Sequence, residues 1–297
     1  MIAKFLARLG RFLFERHDAR RISRQHFDSS GLSVLSDIPY ISDCTPEHLL
    51  DIYRPLNSAD DLPVIVNIHG GGLFASYKTV NTWFNYEWAR MGYVVVSISY
   101  RRIPDTTLIH QIEDVMTALR FISIHRHEYR LNLDRCYLTG DSAGALLSLY
   151  ALALEGSDVL RQAFGVQPSG ICFRAAAFIS IMLDIRRKDL LAFMSKVVTA
   201  PDESGKPYLP YIFDPGSMIG ITQLPPLYLV TSAEDIIQKD TLKLDCLLTA
   251  ADIMHHLLNF KKGKQNRLEH VFSVQYPMLA ESREVYNEID RFFHECK

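Results

Sequence analysis

The stretch RCYLTGDSAGALLSLYALALEG, residues 135–156, sets a short β-rich apolar run against a long apolar helical run, with a five-residue turn between them. The turn, Gly140-Asp141-Ser142-Ala143-Gly144, has the pattern G-x-S-x-G. A serine on a sharp strand-to-helix turn needs small neighbours, because the strained backbone brings other segments close. Gly140 and Gly144 meet that need, and the turn lifts the Ser142 hydroxyl out of the sheet. The helix beginning beneath it favours developing negative charge at its N-terminus. A chance G-x-S-x-G in a turn has no reason to carry both flanks.

Outward from this turn, β-rich runs alternate with helical patterns. Strands are expected at 49–55, 63–69, 93–100, 135–140, 175–180, 225–232 and 255–260. Several are almost continuously apolar, as strands covered on both faces are. Helices are expected at 143–155, 238–251 and 276–295, and along the stripe Leu108, Ile112, Val115, Leu119 and Ile122. The alternation predicts an α/β fold with a mostly parallel sheet. No repeat or linker divides the chain, so residues 1–297 read as one domain. The longest departure, 184–224, is punctuated by Pro and Gly and is too long for a simple connection.

Bulk properties narrow the function. The 297 residues are 48% hydrophobic and 22% charged, with a formal net charge of −2, which gives no reason to expect nucleic acid or an acidic membrane as a partner. The five cysteines are widely spaced and form no C-x-x-C pair, so neither a zinc site nor a disulfide framework is expected. Reduced thiols and a cytoplasmic location are the simplest reading. The N-terminal apolar runs are broken by Lys4, Arg8 and Arg11, which leaves no secretory core and no membrane span. Ile2, Phe5, Leu9, Phe12 and Leu13 recur at helical spacing, predicting an amphipathic helix packed on its own domain. A membrane-surface or substrate-covering role is the competing reading.

A serine hydroxyl is a poor nucleophile until a base takes its proton, and the base needs a partner that fixes its tautomer. In this architecture the chain order is Ser, then Asp or Glu, then His. PPLYLVTSAED (225–235) delivers Glu234 and Asp235 past a strand end; Asp235 is preferred and Glu234 held in reserve, since both could be helix-start acids. Of the 11 histidines, only His270 lies in a loop between the last strand and the C-terminal helix. HGGG (69–72) then becomes readable. Acyl transfer passes through an oxyanion best held by preorganised N–H donors, and glycines aim amides without a Cβ in the way. A phosphate cradle is disfavoured, because neither G-K-[ST] nor G-x-G-x-x-G is present.

With HGGG at 69–72, GDSAG at 140–144, and Asp235 and His270 in order, the chain resembles the hormone-sensitive-lipase-like esterases, or bacterial lipolytic family IV, of the α/β-hydrolase superfamily. The resemblance covers roughly residues 49–297 and includes DIYRP (51–55), the YRR-P run (100–104) and LPPLYLV (224–230). It implies Ser142 as nucleophile, His270 as base and Asp235 as orienting acid. The amides of Gly71, Gly72 and Ala143 become the oxyanion donors, with His69, Gly70 and Asp141 in support. It also implies helical cap elements at about 1–45 and 184–224. The chain departs from the family at Ser76 and Ala145, where glycines are common, and at DIIQKD (235–240), where D-P-L-R-D is usual.

The expected activity is hydrolysis of a small-molecule carboxylic ester, a short acyl or acetyl ester, through an acyl-enzyme, with no cofactor and no metal. An amidase, peptidase or acyltransferase would use the same triad, since the pocket decides between them. A non-catalytic small-molecule receptor on the same fold is the rival outside enzymes. Pairing as a homodimer through the last strand and helix is compatible with the resemblance.

Overall fold

The computed structural model describes residues 2–25, 28–58, 61–186, 197–263 and 265–296. Eight strands form one sheet: β1 (Leu32–Pro39), β2 (Leu49–Pro55), β3 (Pro63–Ile68), β4 (Val94–Ile98), β5 (Asn132–Asp141), β6 (Phe173–Ile179), β7 (Leu227–Ser232) and β8 (His255–Phe260). Their spatial order is β1-β2-β4-β3-β5-β6-β7-β8. β2 runs antiparallel to β1 and β4, and every other neighbouring pair is parallel. This is the mostly parallel α/β sheet that the alternation predicts.

Continuous apolar runs become strands here because both sheet faces are covered. Every residue of β3, β4 and β7 is buried. Side chains alternate across a strand, so Val64, Val66 and Ile68 join one core while Ile65 joins the other. The first core is closed by α3 (Leu108–Ile124), α4 (Ala143–Glu155), α5 (Asp158–Phe164), α6 (Leu209–Phe213) and α7 (Gln238–Ala250). The second is closed by α2 (Thr82–Arg90), the short α8 (Phe272–Gln275) and α9 (Ala280–Glu295). In α4 every residue from Ala143 to Leu154 is buried, which is why its sequence is apolar all round rather than striped.

One expectation needs correction. Helix α1 (Ile2–Arg24) packs on its own domain, but not through the anticipated stripe. Ala7, Asp18 and Arg21 are buried and Gly10 lies against Phe74, whereas Phe5, Leu9, Phe12 and Leu13 are exposed. Polar latches select this face. Arg11 donates to Asp105 and to the Phe74 and Ile103 carbonyls, Arg102 bridges Glu15 and Glu47, and Ser76 Oγ donates to Asp18. Of the second cap segment, 187–196 lies outside the described residues. The described part, 197–224, packs Val198, Ile212 and Met218 into the first core.

The DIYRP segment carries a buried ion pair. Lys78, in a 3-10 turn at Lys78–Asn81, places Nζ 2.7 Å from both Asp37 and Asp51. Its side chain is 2% exposed and that of Asp51 4%. Removing one partner strands the other charge in the interior. Lys78→Met is therefore expected to destabilise the fold by about 3–5 kcal/mol in urea unfolding. Adding Asp51→Leu should recover most of the loss.

Candidate active site

β5 ends in the turn and α4 begins it, so the sheet and the helix fix the serine from two sides. Ser142 has φ 52° and ψ −118°. That backbone costs about 1–3 kcal/mol for a residue with a side chain and persists only when its surroundings over-determine it. The Ser142 amide donates to the Ile179 carbonyl at 2.9 Å, and its carbonyl accepts from the Met182 amide at 3.1 Å. The flanking glycines are needed for close approach. A Cβ on Gly144 would lie 2.0 Å from the Ile68 carbonyl oxygen, and one on Gly140 would lie 2.6 Å from Ser148 Oγ.

Ser142, His270 and Asp235 form one hydrogen-bonded chain. His270 Nε2 is 2.9 Å from Ser142 Oγ, and His270 Nδ1 is 2.8 Å from Asp235 Oδ1. A carboxylate only accepts, so Nδ1 carries the proton and Nε2 is left to accept from the serine. Burial alone raises the Asp235 carboxyl. Hydrogen bonds from His270, Ser180 and the Ile237 amide, with the imidazole charge, outweigh burial and hold it below the usual carboxylate value. Thr231 Oγ1 donates to the other oxygen. These contacts hold the acid within the segment DIIQKD. The reserve acid, Glu234, is turned away from the histidine ring. Its Oε2 accepts the Gly263 and Leu268 amides and shapes the loop that carries His270.

The glycine run follows β3 and faces this serine. Gly71 and Gly72 have φ 120° and 61°. The Gly71 carbonyl accepts from the Phe74 and Ala75 amides, closing a tight turn, and a Cβ at Gly71 would lie 2.1 Å from the Ala75 carbonyl oxygen. Among the described residues, neither the Gly71 nor the Gly72 amide donates within the protein. Ala143 opens α4, where its amide belongs to the unpaired first turn. Asp141 ties loop to turn by accepting from the Gly70 amide at 3.0 Å and from Asn81 at 2.7 Å. Burial pushes its carboxyl above the ordinary value, and those two donors partly offset it.

His69 supports this loop from behind. It is fully buried and stacks on Tyr100, with ring centroids 4.5 Å apart. Its Nδ1 donates to the Gly70 carbonyl at 2.6 Å, while Tyr100 donates to the His69 carbonyl at 2.7 Å. Burial drives its pKa from 6.5 down to about 4. Below pH 6.5 the unfolded chain takes a proton here that the folded chain refuses until about pH 4. Stability is therefore complete above that window and falls as pH drops through it, by up to about 3 kcal/mol. His69→Gln should flatten this slope in urea unfolding at pH 7 and pH 4.5; an unchanged slope would contradict a buried neutral imidazole.

A cavity of about 470 Å³ opens onto these groups and touches Gly70, Gly71, Gly72, Asp141, Ser142 and His270. Its walls are mainly apolar, among them Phe74, Val80, Met182 and Val274, with Phe14, Asp18 and Arg21 supplied by α1. Among the described residues, none of 197–224 lines it. Ser76 has a left-handed backbone (φ 71°), and its hydroxyl joins the loop to Asp18 of α1. Asn81, Ser180, Tyr100 and Asp18 were not legible as site residues, because each acts through a partner distant in sequence. Among the described residues no group of His, Cys, Asp and Glu is placed to hold a metal ion.

Comparison with known proteins agrees with this architecture. The BD-FAE family model matches residues 50–171. A probable isoprenylcysteine alpha-carbonyl methylesterase of Arabidopsis thaliana is 32% identical over 100 residues, which cover 34% of this chain and 21% of that protein. The chain thus spans only about a fifth of the length of that curated relative. Carboxylesterase NlhH of Mycobacterium tuberculosis is 27% identical over 236 residues, covering 77% of this chain and 70% of its own. Esterase B from Lactobacillus rhamnosis HN001 superposes with a TM-score of 0.91 at 24% identity, covering 99% of this chain and 96% of that one. An esterase from the bacterial hormone-sensitive lipase family gives 0.74 at 19%, covering 95% and 90%. At these identities the structural likenesses establish an α/β-hydrolase fold.

Proposed function

We propose that this chain is a serine carboxylesterase of the hormone-sensitive-lipase-like kind, acting on small esters through an acyl-enzyme. The observation that carries the reading is the Ser142–His270–Asp235 chain set beside the Gly71 and Gly72 amides at the floor of an apolar cavity. In the forward step Ser142 Oγ attacks the ester carbonyl carbon as His270 Nε2 takes its proton. Asp235 keeps the imidazole in the Nδ1–H tautomer and stabilises the imidazolium. The carbonyl oxygen becomes an oxyanion facing the Gly71, Gly72 and Ala143 amides, which are fixed before the reaction and need no reorganisation. Collapse breaks the ester C–O bond, and His270 gives its proton to the leaving alkoxide. Water then repeats the sequence on the acyl-enzyme and frees the acid.

The cavity of about 470 Å³ supports a small acyl group, in the lower part of the range usual for small-molecule sites. The test is a series of p-nitrophenyl acetate, butyrate, octanoate and palmitate, with acetylated sugars and matching p-nitroanilides. Short esters should be turned over fastest and anilides far more slowly. Faster anilide cleavage would move the reading to an amidase, and no turnover of any ester would remove it.

A further inference from the structure

Helix α1 carries a surface that packing leaves unused. Phe5 and Phe12 are 65% and 58% exposed, and Leu6, Leu9 and Leu13 are exposed with them. At about 3.6 residues per turn these five fall within about a third of the helix circumference. Such a stripe ordinarily faces a core, yet here the core side is taken by Ala7, Gly10, Asp18 and Arg21. The catalytic cavity lies on the inner side of α1, opposite this stripe. Phe14 of α1 and Ile236, beside Asp235, both line that cavity and are themselves 47% and 80% exposed.

Charge says what covers this face. On the same outer side the following turns present Arg16, Arg20 and Arg24, and Lys4 flanks the apolar end; all four are exposed. Among the described residues no ion pair engages them. The only acids of α1 are already committed, Glu15 to Arg102 and Asp18 to Ser76 and Arg21. The chain as a whole is slightly acidic, with a formal net charge of −2, so the cationic surface is local to this helix. A second copy of the face would bring the same cations and no carboxylates to meet them. A layer of anionic headgroups supplies the missing charge, long arginine stems reach it while their alkyl parts stay apolar, and Phe and Leu side chains suit the boundary beneath.

We propose that the outer face of α1 docks on anionic lipid surfaces. No single described helix is long and apolar enough to cross a membrane, so the contact is with the surface. Docking is independent of the esterase reading and is measurable on the Ser142→Ala chain.

The experiment is flotation of the full chain with phosphatidylcholine vesicles, with and without one quarter phosphatidylglycerol. Binding should be at least tenfold tighter with phosphatidylglycerol and should weaken as salt rises. Arg16→Ser and Arg20→Ser should each weaken it about fivefold, the scale of one cation near an anionic surface. Leu9→Ser/Phe12→Ser should abolish binding while hydrolysis of soluble p-nitrophenyl butyrate stays at the wild-type rate. That activity also distinguishes lost docking from misfolding. Equal binding to both vesicles, no binding, or binding indifferent to these substitutions would overturn the proposal. So would a wild-type dimer that Leu9→Ser/Phe12→Ser converts to monomer, because a second copy would then be what covers the face.

Discussion

Ser142→Ala is expected to lower kcat for p-nitrophenyl butyrate by about 10⁵–10⁶-fold, with the unfolding midpoint in urea close to wild type. In the proposed mechanism the hydroxyl forms the acyl bond, and no other described nucleophile is hydrogen-bonded to His270. Residues that act as one unit are not additive, so His270→Ala should cost about as much alone as in combination with Ser142→Ala. On the proposed mechanism the residual rate would come from binding and from the glycine amides, which neither substitution touches. A Ser142→Ala chain retaining more than a few per cent of the ester turnover would require a different nucleophile.

Asp235→Asn should cost about 10⁴-fold in kcat, with much less effect on KM. The cause is the tautomer. An asparagine whose amide faces Nδ1 makes that nitrogen an acceptor, moves the proton to Nε2, and leaves the imidazole unable to take one from Ser142. Glu234→Gln is the control, since Glu234 holds the loop through the Gly263 and Leu268 amides and does not touch His270. It should change kcat by less than about tenfold. Reversed magnitudes for the two substitutions would mean that Glu234, the reserve acid, serves the histidine. The lowered carboxyl of Asp235 adds a pH consequence: its ionised form persists into more acidic solution than that of an ordinary aspartate, so loss of its protonation-state contribution falls below the usual carboxylate range.

The parts of this site readable in sequence are those written in adjacent residues or, as for Asp235 and His270, in chain order and element context. Gly140 to Gly144, with a strand before and a helix after, specified the serine turn, and the close contacts at both glycines give the reason for their size. HGGG is readable as a glycine turn after a strand, and its oxyanion role belongs to the proposed mechanism. Strand β1 was missed, because LSVLSDIP is a partly exposed edge strand with little apolar signal. Helix α2 was missed too, since its polar and aromatic residues mix along TWFNYEWAR although Phe84 and Trp88 are buried. The orientation of α1 is where the structure departs furthest from the hydrophobic pattern. Hydrophobic periodicity marks the apolar face correctly but assumes that this face is the one that packs. Here Arg11, Glu15 and Asp18 latch the helix to Asp105, Arg102 and Ser76, partners about 58 to 94 residues away. Ser76 belongs to the same class: in sequence it is a missing glycine, and in the structure it is the joint between α1 and the glycine loop.

The most direct measurement is covalent capture of the nucleophile with a small alkyl fluorophosphonate, read by intact mass and by mapping the modified peptide. One phosphonyl group should be added per chain, on Ser142, with ester hydrolysis lost in proportion. The adduct should be absent from Ser142→Ala and should form much more slowly on Asp235→Asn. An adduct on another residue that tracks the loss of activity, or full esterase activity in a chain phosphonylated at Ser142, would contradict the assignment of Ser142 as the acyl-accepting group.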